Sequence, residues 1–254
     1  MQPTAQTENE KEPLLFRIMK RVIVAFSPKY TLHGTENLPE EPCVIVGNHC
    51  QFYGPIAAEC YKSRPRYIWC IGEMLNRKEA AAYAYKDFWP DKPRGTGWYF
   101  RLLSHLLAGP LSYLLSHAHT IPVYRDTRVM TTFRRSMEVL RNGADVIIFP
   151  ECHEPYNGIV WQFQEHFTDL AKLYWRRTGK ALWFTPMYTA PTLKSIHFGK
   201  PVQYNPDAPE EEERKRICRA MQEAITDLAV SLPEHTVVPY VNIPKKDYPK
   251  NTQA

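Results

Sequence analysis

The stretch Val44-Ile45-Val46-Gly47-Asn48-His49-Cys50-Gln51-Phe52-Tyr53-Gly54-Pro55 constrains the fold most, because an apolar run stops at an Asn-His pair and a second element begins at Gly54-Pro55. Val44 to Val46 predict a short strand, and Pro55 suits the first turn of a helix running on through Tyr61. A strand that hands a histidine to a turn before a helix points to an α/β protein, where chemistry gathers beside the carboxyl ends of strands. From this stretch alone His49 is either a site residue or a side chain that satisfies loop backbone.

A chain of 254 residues can bury one large core, and its apolar and charged fractions, 44% and 23%, are those of a globular protein. The net charge of +5 is too mild to indicate nucleic acid, yet it is compatible with anionic small molecules or an anionic lipid surface. Six cysteines without C-x-x-C spacing predict buried free thiols and a cytoplasmic setting. Residues 1–12 are polar and lack the basic flank and apolar core of a signal peptide.

Leu14, Leu15, Ile18, Met19, Val22, Ile23 and Phe26 recur at helical spacing around Arg17, Lys20 and Arg21, so residues 13–29 predict a basic amphipathic helix. It is too short to cross a bilayer, and either lies on a membrane surface or caps the core. Tyr67 to Ile71 predict a strand. Lys78 to Gly97, ending in Pro90, Pro93, Gly95 and Gly97, reads as an insertion or a covering loop. Trp98 to His117 is strongly apolar but broken at Gly109-Pro110, which predicts two short helices that form core, a greasy groove or a membrane-facing hairpin.

Ile121 to Arg125, Thr131 to Arg141 and Asp145 to Glu151 follow as strand, helix and strand, the pattern of a parallel βαβ unit. Asn157-Gly158 marks a turn, Phe167 to Thr178 a helix, and Leu182 to Met187 and Ser195 to Phe198 two further strands. Asp207, ahead of Pro209 and Glu210, predicts a helix cap, and the helix carries Ile217, Met221, Ile225, Leu228 and Leu232 on one stripe. The expected architecture is α/β: a single domain over residues 30–232 with a mixed, largely parallel sheet flanked by helices, preceded by the amphipathic helix. Residues 233–254 read as a Pro-rich C-terminal arm.

Four pieces now stand in a recognisable order: Asn48-His49 through Gly54; Ile121-Pro122-Val123-Tyr124-Arg125; Phe149-Pro150-Glu151; and Phe184-Thr185-Pro186-Met187, with Phe198-Gly199-Lys200-Pro201 after them. The chain resembles the glycerol-phosphate/lysophospholipid acyltransferase family, of the 1-acylglycerol-3-phosphate acyltransferase type, over roughly residues 30–232. That resemblance implies transfer of a fatty acyl group from a thioester donor, acyl-CoA or acyl carrier protein, to a hydroxyl of a glycerol-phosphate or lysophospholipid-type acceptor. No cofactor and no metal are implied, and no nucleic acid. It further implies His49 as general base, because imidazole titrates where a hydroxyl proton must be removed. Arg125, assisted by Arg128, would bind an anionic group of the acceptor through the guanidinium fork. Glu151 and Asn48 complete the expected substrate-binding set. Without the resemblance, Arg125 and Glu151 read equally as an internal salt bridge between strand ends.

The sequence departs from the family pattern at Gly54, where members carry the Asp that orients the histidine, at Cys152 for Gly, at Glu154 for Arg, and at Gln164 for Lys. Glu59, Glu73 and Asp126 are candidates for a substitute carboxylate. Two functions from different classes therefore stand: an active acyltransferase, and a catalytically impaired relative that binds lipid or acyl carrier without turnover. A zinc site formed by His49-Cys50 with Cys152-His153, or a nucleophilic Cys50 or Cys152, is a third idea with no established spacing behind it. The expected location is cytoplasmic, peripheral at the inner face of the membrane.

Overall fold

The computed structural model describes residues 13–58, 64–89, 92–124 and 126–253. In chain order the elements are α1 (Leu14–Phe26), β1 (Thr31–His33), β2 (Val44–Gly47), α2 (Tyr53–Ala58), β3 (Arg66–Ile71), α3 (Gly72–Leu75), α4 (Arg77–Asp87), α5 (Gly97–His117), β4 (Thr120–Val123), α6 (Val129–Arg141), β5 (Asp145–Ile148), β6 (Glu151–Tyr156), β7 (Trp161–Phe163), α7 (Asp169–Thr178), β8 (Trp183–Ala190), β9 (Ser195–Phe198), β10 (Val202–Gln203) and α8 (Glu210–Val230). They belong to two compact units, one formed by Pro28–Ile71 with Ile121–Ala254, the other by Met1–Ser27 with Gly72–Thr120.

The first unit is built on an eight-stranded sheet in the order β1-β9-β8-β2-β5-β3-β4, with β10 also paired to β8. β2 runs parallel to both β5 and β8, and β3 parallel to β5, while β9 and β10 run antiparallel to β8. This is the mixed, largely parallel sheet that the sequence predicts. Every residue of β2 and β5 is buried, as suits central strands covered on both faces. Val44, Val46, Val146 and Ile148 pack towards Phe133, Leu140, Leu170, Ile217, Met221 and Ile225 of α6, α7 and α8. Ile45 and Ile147 point the other way, against Ala57 and Ala58 of α2 and against Ile196 and Phe198.

Asp145 fastens the leading ends of these strands. Fully buried at the start of β5, it accepts the Cys43 N–H at 2.9 Å through Oδ1 and the Arg64 Nε–H at 3.1 Å through Oδ2. Arg64 in turn donates to the carbonyls of Pro39 and Glu40. On the far side of β8, Gly199 is held by a bond from its N–H to the Pro186 carbonyl at 3.0 Å, and a Cβ there would come within 2.9 Å of the Pro186 ring. Two segments singled out in the sequence are thus packed on one another.

Three sequence expectations are corrected. Residues 77–87, taken for loop, form α4: Asn76 caps it by accepting the Lys78 N–H, and its Nδ2 donates to the Glu79 carboxylate. α5 is one helix of 21 residues with Pro110 inside it. Its buried face is a strip of small residues, Ser104, Ala108 and Ser112, packed in the second unit against Ala80 and Ala81 of α4, with Ser112 Oγ donating to the Met74 carbonyl of α3. Leu102, Leu106 and Leu107 are on the exposed face. The β4–α6–β5 connection, read from the sequence as a βαβ unit, passes over β3, which lies between the two strands. Finally, Asp207 does not cap α8. Glu213, buried in its first turn, accepts the Asn205 N–H at 2.7 Å instead.

Replacing Asp145 by Ala leaves the Cys43 N–H and the Arg64 guanidinium without this acceptor. Breaking a buried pair of this kind costs about 3 kcal/mol, so urea denaturation of Asp145→Ala should give a lower midpoint with an unchanged slope; an unaltered midpoint would show that the lattice at the strand starts is dispensable.

Candidate active site

His49 lies two residues beyond β2, on a loop that doubles back before α2. Cys50 and Gln51 both adopt positive φ, 36° and 56°, which costs about 1–2 kcal/mol per residue for L-amino acids. The turn is closed by the Gly54 N–H to the His49 carbonyl at 3.2 Å and the Tyr53 N–H to the Cys50 carbonyl at 3.1 Å. The strained geometry leaves the imidazole half-buried, with the ring of Phe149 at 5.4 Å and that of Tyr240 at 5.1 Å, centroid to centroid.

Gly54 is inside the first turn of α2. Its φ is unexceptional; what matters is space. A Cβ would sit 2.5 Å from the His49 carbonyl oxygen and 2.8 Å from that of Asn48, both backbone atoms. The position where the resembling family carries Asp is therefore one that this loop closes to any side chain. Of the other carboxylates considered, Glu59 is outside the described residues, Glu73 belongs to α3, and Asp126 is bound to Arg128.

Glu151 and His49 meet, as strand ends on adjacent parallel strands should. The contact is with the main chain of His49: Oε1 accepts its N–H at 2.6 Å, while Oε2 accepts the Trp161 N–H of β7 at 2.9 Å. The carboxyl group is 4% exposed, and burial raises it from 4.5 to about 7 against the lowering effect of the two N–H bonds. Asn48 is also buried, its amide paired with both backbone groups of Thr189 on β8, Nδ2 to the carbonyl at 3.1 Å and Oδ1 from the N–H at 2.7 Å. Both side chains thus build the platform on which the imidazole stands.

Arg125 lies outside the described residues. Arg128, at the start of α6, is exposed, pairs with the Asp126 carboxylate at 2.8 Å and covers the Tyr124 ring at 4.1 Å. The cysteine ideas gain nothing from the geometry. Burial drives the Cys50 thiol well above its usual range and also raises Cys152, whose Sγ–H is directed at the Gln162 carbonyl.

Sequence reasoning missed the residues that surround His49 from a distance in the chain. Tyr240 and Tyr248 come from the C-terminal arm, the latter accepting a hydrogen bond from Gln51 Nε2 at 2.8 Å. No periodicity could have pointed there; the one available signal was three aromatic or apolar residues, Tyr240, Val241 and Ile243, within a segment otherwise rich in Pro and Lys.

No protein-family model matches this sequence, and no curated protein matches it. Among solved structures the chain is similar to the 1-acyl-sn-glycerophosphate (LPA) acyltransferase PlsC from Thermotoga maritima, at 19% identity with a TM-score of 0.48, covering 86% of this chain and 80% of that one.

Two outcomes test this geometry. Because Glu151 binds its proton more tightly in the folded state, its contribution to stability is complete below pH 4.5 and falls as the pH rises to about 7. Urea midpoints followed across that window should carry a decline that Glu151→Gln lacks, and Glu151→Gln, with only one acceptor for two N–H groups, should be less stable at pH 7 by about 1–3 kcal/mol. Gly54→Asp should lower the thermal midpoint through about 1–3 kcal/mol of overpacking; a variant as stable as the wild type would mean that the loop readily makes room.

Proposed function

We propose that the protein is an acyltransferase that moves a fatty acyl group from a thioester donor, acyl-CoA or acyl carrier protein, to a hydroxyl of a glycerol-phosphate or lysophospholipid-type acceptor. One observation carries the proposal: His49 and Glu151, from two motifs 102 residues apart, are joined at 2.6 Å beyond the carboxyl ends of β2 and β5. Motifs that bear chemistry in a fixed sequence order and converge on one sheet edge are what this function requires.

In the proposed reaction the His49 imidazole takes the proton of the acceptor hydroxyl as its oxygen attacks the thioester carbonyl. The tetrahedral adduct then collapses, the C–S bond breaks, and the departing thiolate recovers the proton from the imidazolium. An ester and a free thiol result. No acyl-enzyme is needed, because the acceptor oxygen is itself the nucleophile. Glu151 and Asn48 serve by holding the main chain of the motif still, and Arg125, with Arg128, supplies the cationic contact for an acceptor phosphate.

A second reading is favoured by Gly54. The carboxylate that would fix the imidazole tautomer and stabilise the imidazolium has no room at that position. The same fold without turnover would be a module that binds lipid or acyl carrier.

Peripheral membrane contact belongs to the proposal too. α1 exposes Leu14, Leu15, Ile18, Val22 and Phe26 beside Arg17, Lys20 and Arg21, and α5 exposes Trp98, Leu102 and Leu106. Neither helix contains an acidic residue, so an anionic lipid surface meets apolar side chains and cations together. Among the described residues, no helix is long and apolar enough to cross a membrane.

Purified protein given acyl-CoA or acyl carrier protein donors and a lysophospholipid panel should transfer acyl groups at a rate that His49→Ala lowers about 10²- to 10⁴-fold. Transfer no faster than that of His49→Ala would remove the enzyme and leave the binding module. Co-sedimentation with phosphatidylglycerol vesicles should be strong for the wild type and weak for Leu15→Glu/Ile18→Glu; equal sedimentation of both would refute the membrane contact at α1.

A further inference from the structure

The C-terminal segment is not a free arm. His235 and Asn251 close it into a loop: the His235 N–H donates to Asn251 Oδ1 at 2.8 Å, and the Asn251 N–H returns to the His235 carbonyl at 3.1 Å. Asn251 has no exposed surface, and its Nδ2 also donates to the carbonyls of Ala229 and Leu232 at the end of α8. The His235 ring is 3% exposed. Its Nδ1–H donates to the Pro233 carbonyl at 2.8 Å, so Nε2 is the acceptor for the Tyr188 hydroxyl at 2.7 Å. One step further out, the Val237 N–H bonds to the Pro249 carbonyl and Thr236 bridges Lys250. The base of the loop is thereby welded to β8 and α8.

What the loop carries outward is directed at His49. Val237, Val238 and Pro239 are buried, and Tyr240 then meets the imidazole at 5.1 Å with the ring planes 60° apart. On the return, the Tyr248 hydroxyl takes the hydrogen bond from Gln51, the second of the two strained residues after His49. Only the tip, from Asn242 to Asp247, is largely exposed. Phe149 meets the same imidazole at 66°, so the ring is flanked by two aromatic groups, one from the link between β5 and β6 and one from this loop.

We infer that residues 235–251 are a cover built over His49, and that Tyr240 is a positioning residue for the imidazole. Where no side chain fits at Gly54 to hold the ring by a hydrogen bond, aromatic packing limits its rotation by contact. The cover further excludes water from one side of the base, and the Gln51–Tyr248 bond ties it to the loop whose shape determines where His49 points.

The consequence for catalysis rests on the acyltransferase reading, but the cover can be tested without it. Diethyl pyrocarbonate modifies exposed imidazoles, and peptide mass spectrometry reads His49 separately from exposed His105, the internal reference. Tyr240→Ala should speed modification of His49 relative to His105 about five- to tenfold, whereas Tyr240→Phe, which keeps the ring, should stay near the wild type. Tyr248→Phe, which removes only the acceptor for Gln51, should give a smaller rise of about threefold and guards against a Tyr240→Ala protein that unfolds. In the acyl-transfer assay Tyr240→Ala should lower kcat with little change in KM, and Tyr240→Phe should restore it. Unchanged His49 reactivity in Tyr240→Ala and Tyr248→Phe would overturn the cover. Tyr240→Phe behaving as Tyr240→Ala would overturn the role of the ring. If the wild type transfers no acyl group, the proposed function falls, and the modification rates still decide the inference.

Discussion

Two buried carboxylates, Asp145 at the start of β5 and Glu151 just beyond the end of that strand, at the start of β6, hold the architecture around His49. Asp145 accepts the N–H of Cys43 just before β2, and Glu151 accepts the N–H of His49 just after it. Each bond spans the same 102 residues of chain, so the two carboxylates extend the β2–β5 ladder beyond its last backbone pair at either end. A one-residue slip between these strands would exchange the faces that meet α2 and α6–α8. It would also strand two buried acceptors. The register that places His49 is therefore held by packing and by polar matching together.

That arrangement gives two residues of the motifs contacts with backbone. Asn48 and Glu151 lie where the resembling family places polar groups, yet both face the backbone of neighbouring segments. Their common effect is to let a short loop keep two left-handed residues in succession. The same tightness makes Gly54 a requirement of shape, and links a missing carboxylate to the turn itself.

Much of the fold was legible because burial there writes a periodic signal. Val44–Val46, Asp145–Ile148, the α8 stripe and the amphipathic α1 were all readable on that ground. α4 was misread because its buried face is alanine and its capping signal, Asn76 with Glu79, was outweighed by nearby prolines and glycines. α5 was misread because Gly109-Pro110 reads as a break, whereas one helix carries Pro110 inside it; its buried residues are also small, so hydropathy points away from its packing face. Near the turn, His49 stood out as a polar residue at a strand end, while Glu151 was singled out through the family resemblance and otherwise read equally as half of a salt bridge; the structure brings its carboxyl group to the main chain of His49. Tyr240, Tyr248, His235 and Asn251 were not singled out, because a loop held by side-chain-to-backbone bonds leaves no repeat in the sequence.

The hydrogen bond between Gln51 and Tyr248 crosses 197 residues. During synthesis, the floor of the site is made early and its roof late, with the whole of β3 to α8 translated between them. Contacts of such separation carry a large loop-closure cost and form after local structure. A chain still on the ribosome short of residue 240 would hold the strand, the turn and the histidine, and would still lack the Tyr240 ring beside the imidazole. The surroundings of His49 are thus complete only after the C-terminal segment has been made.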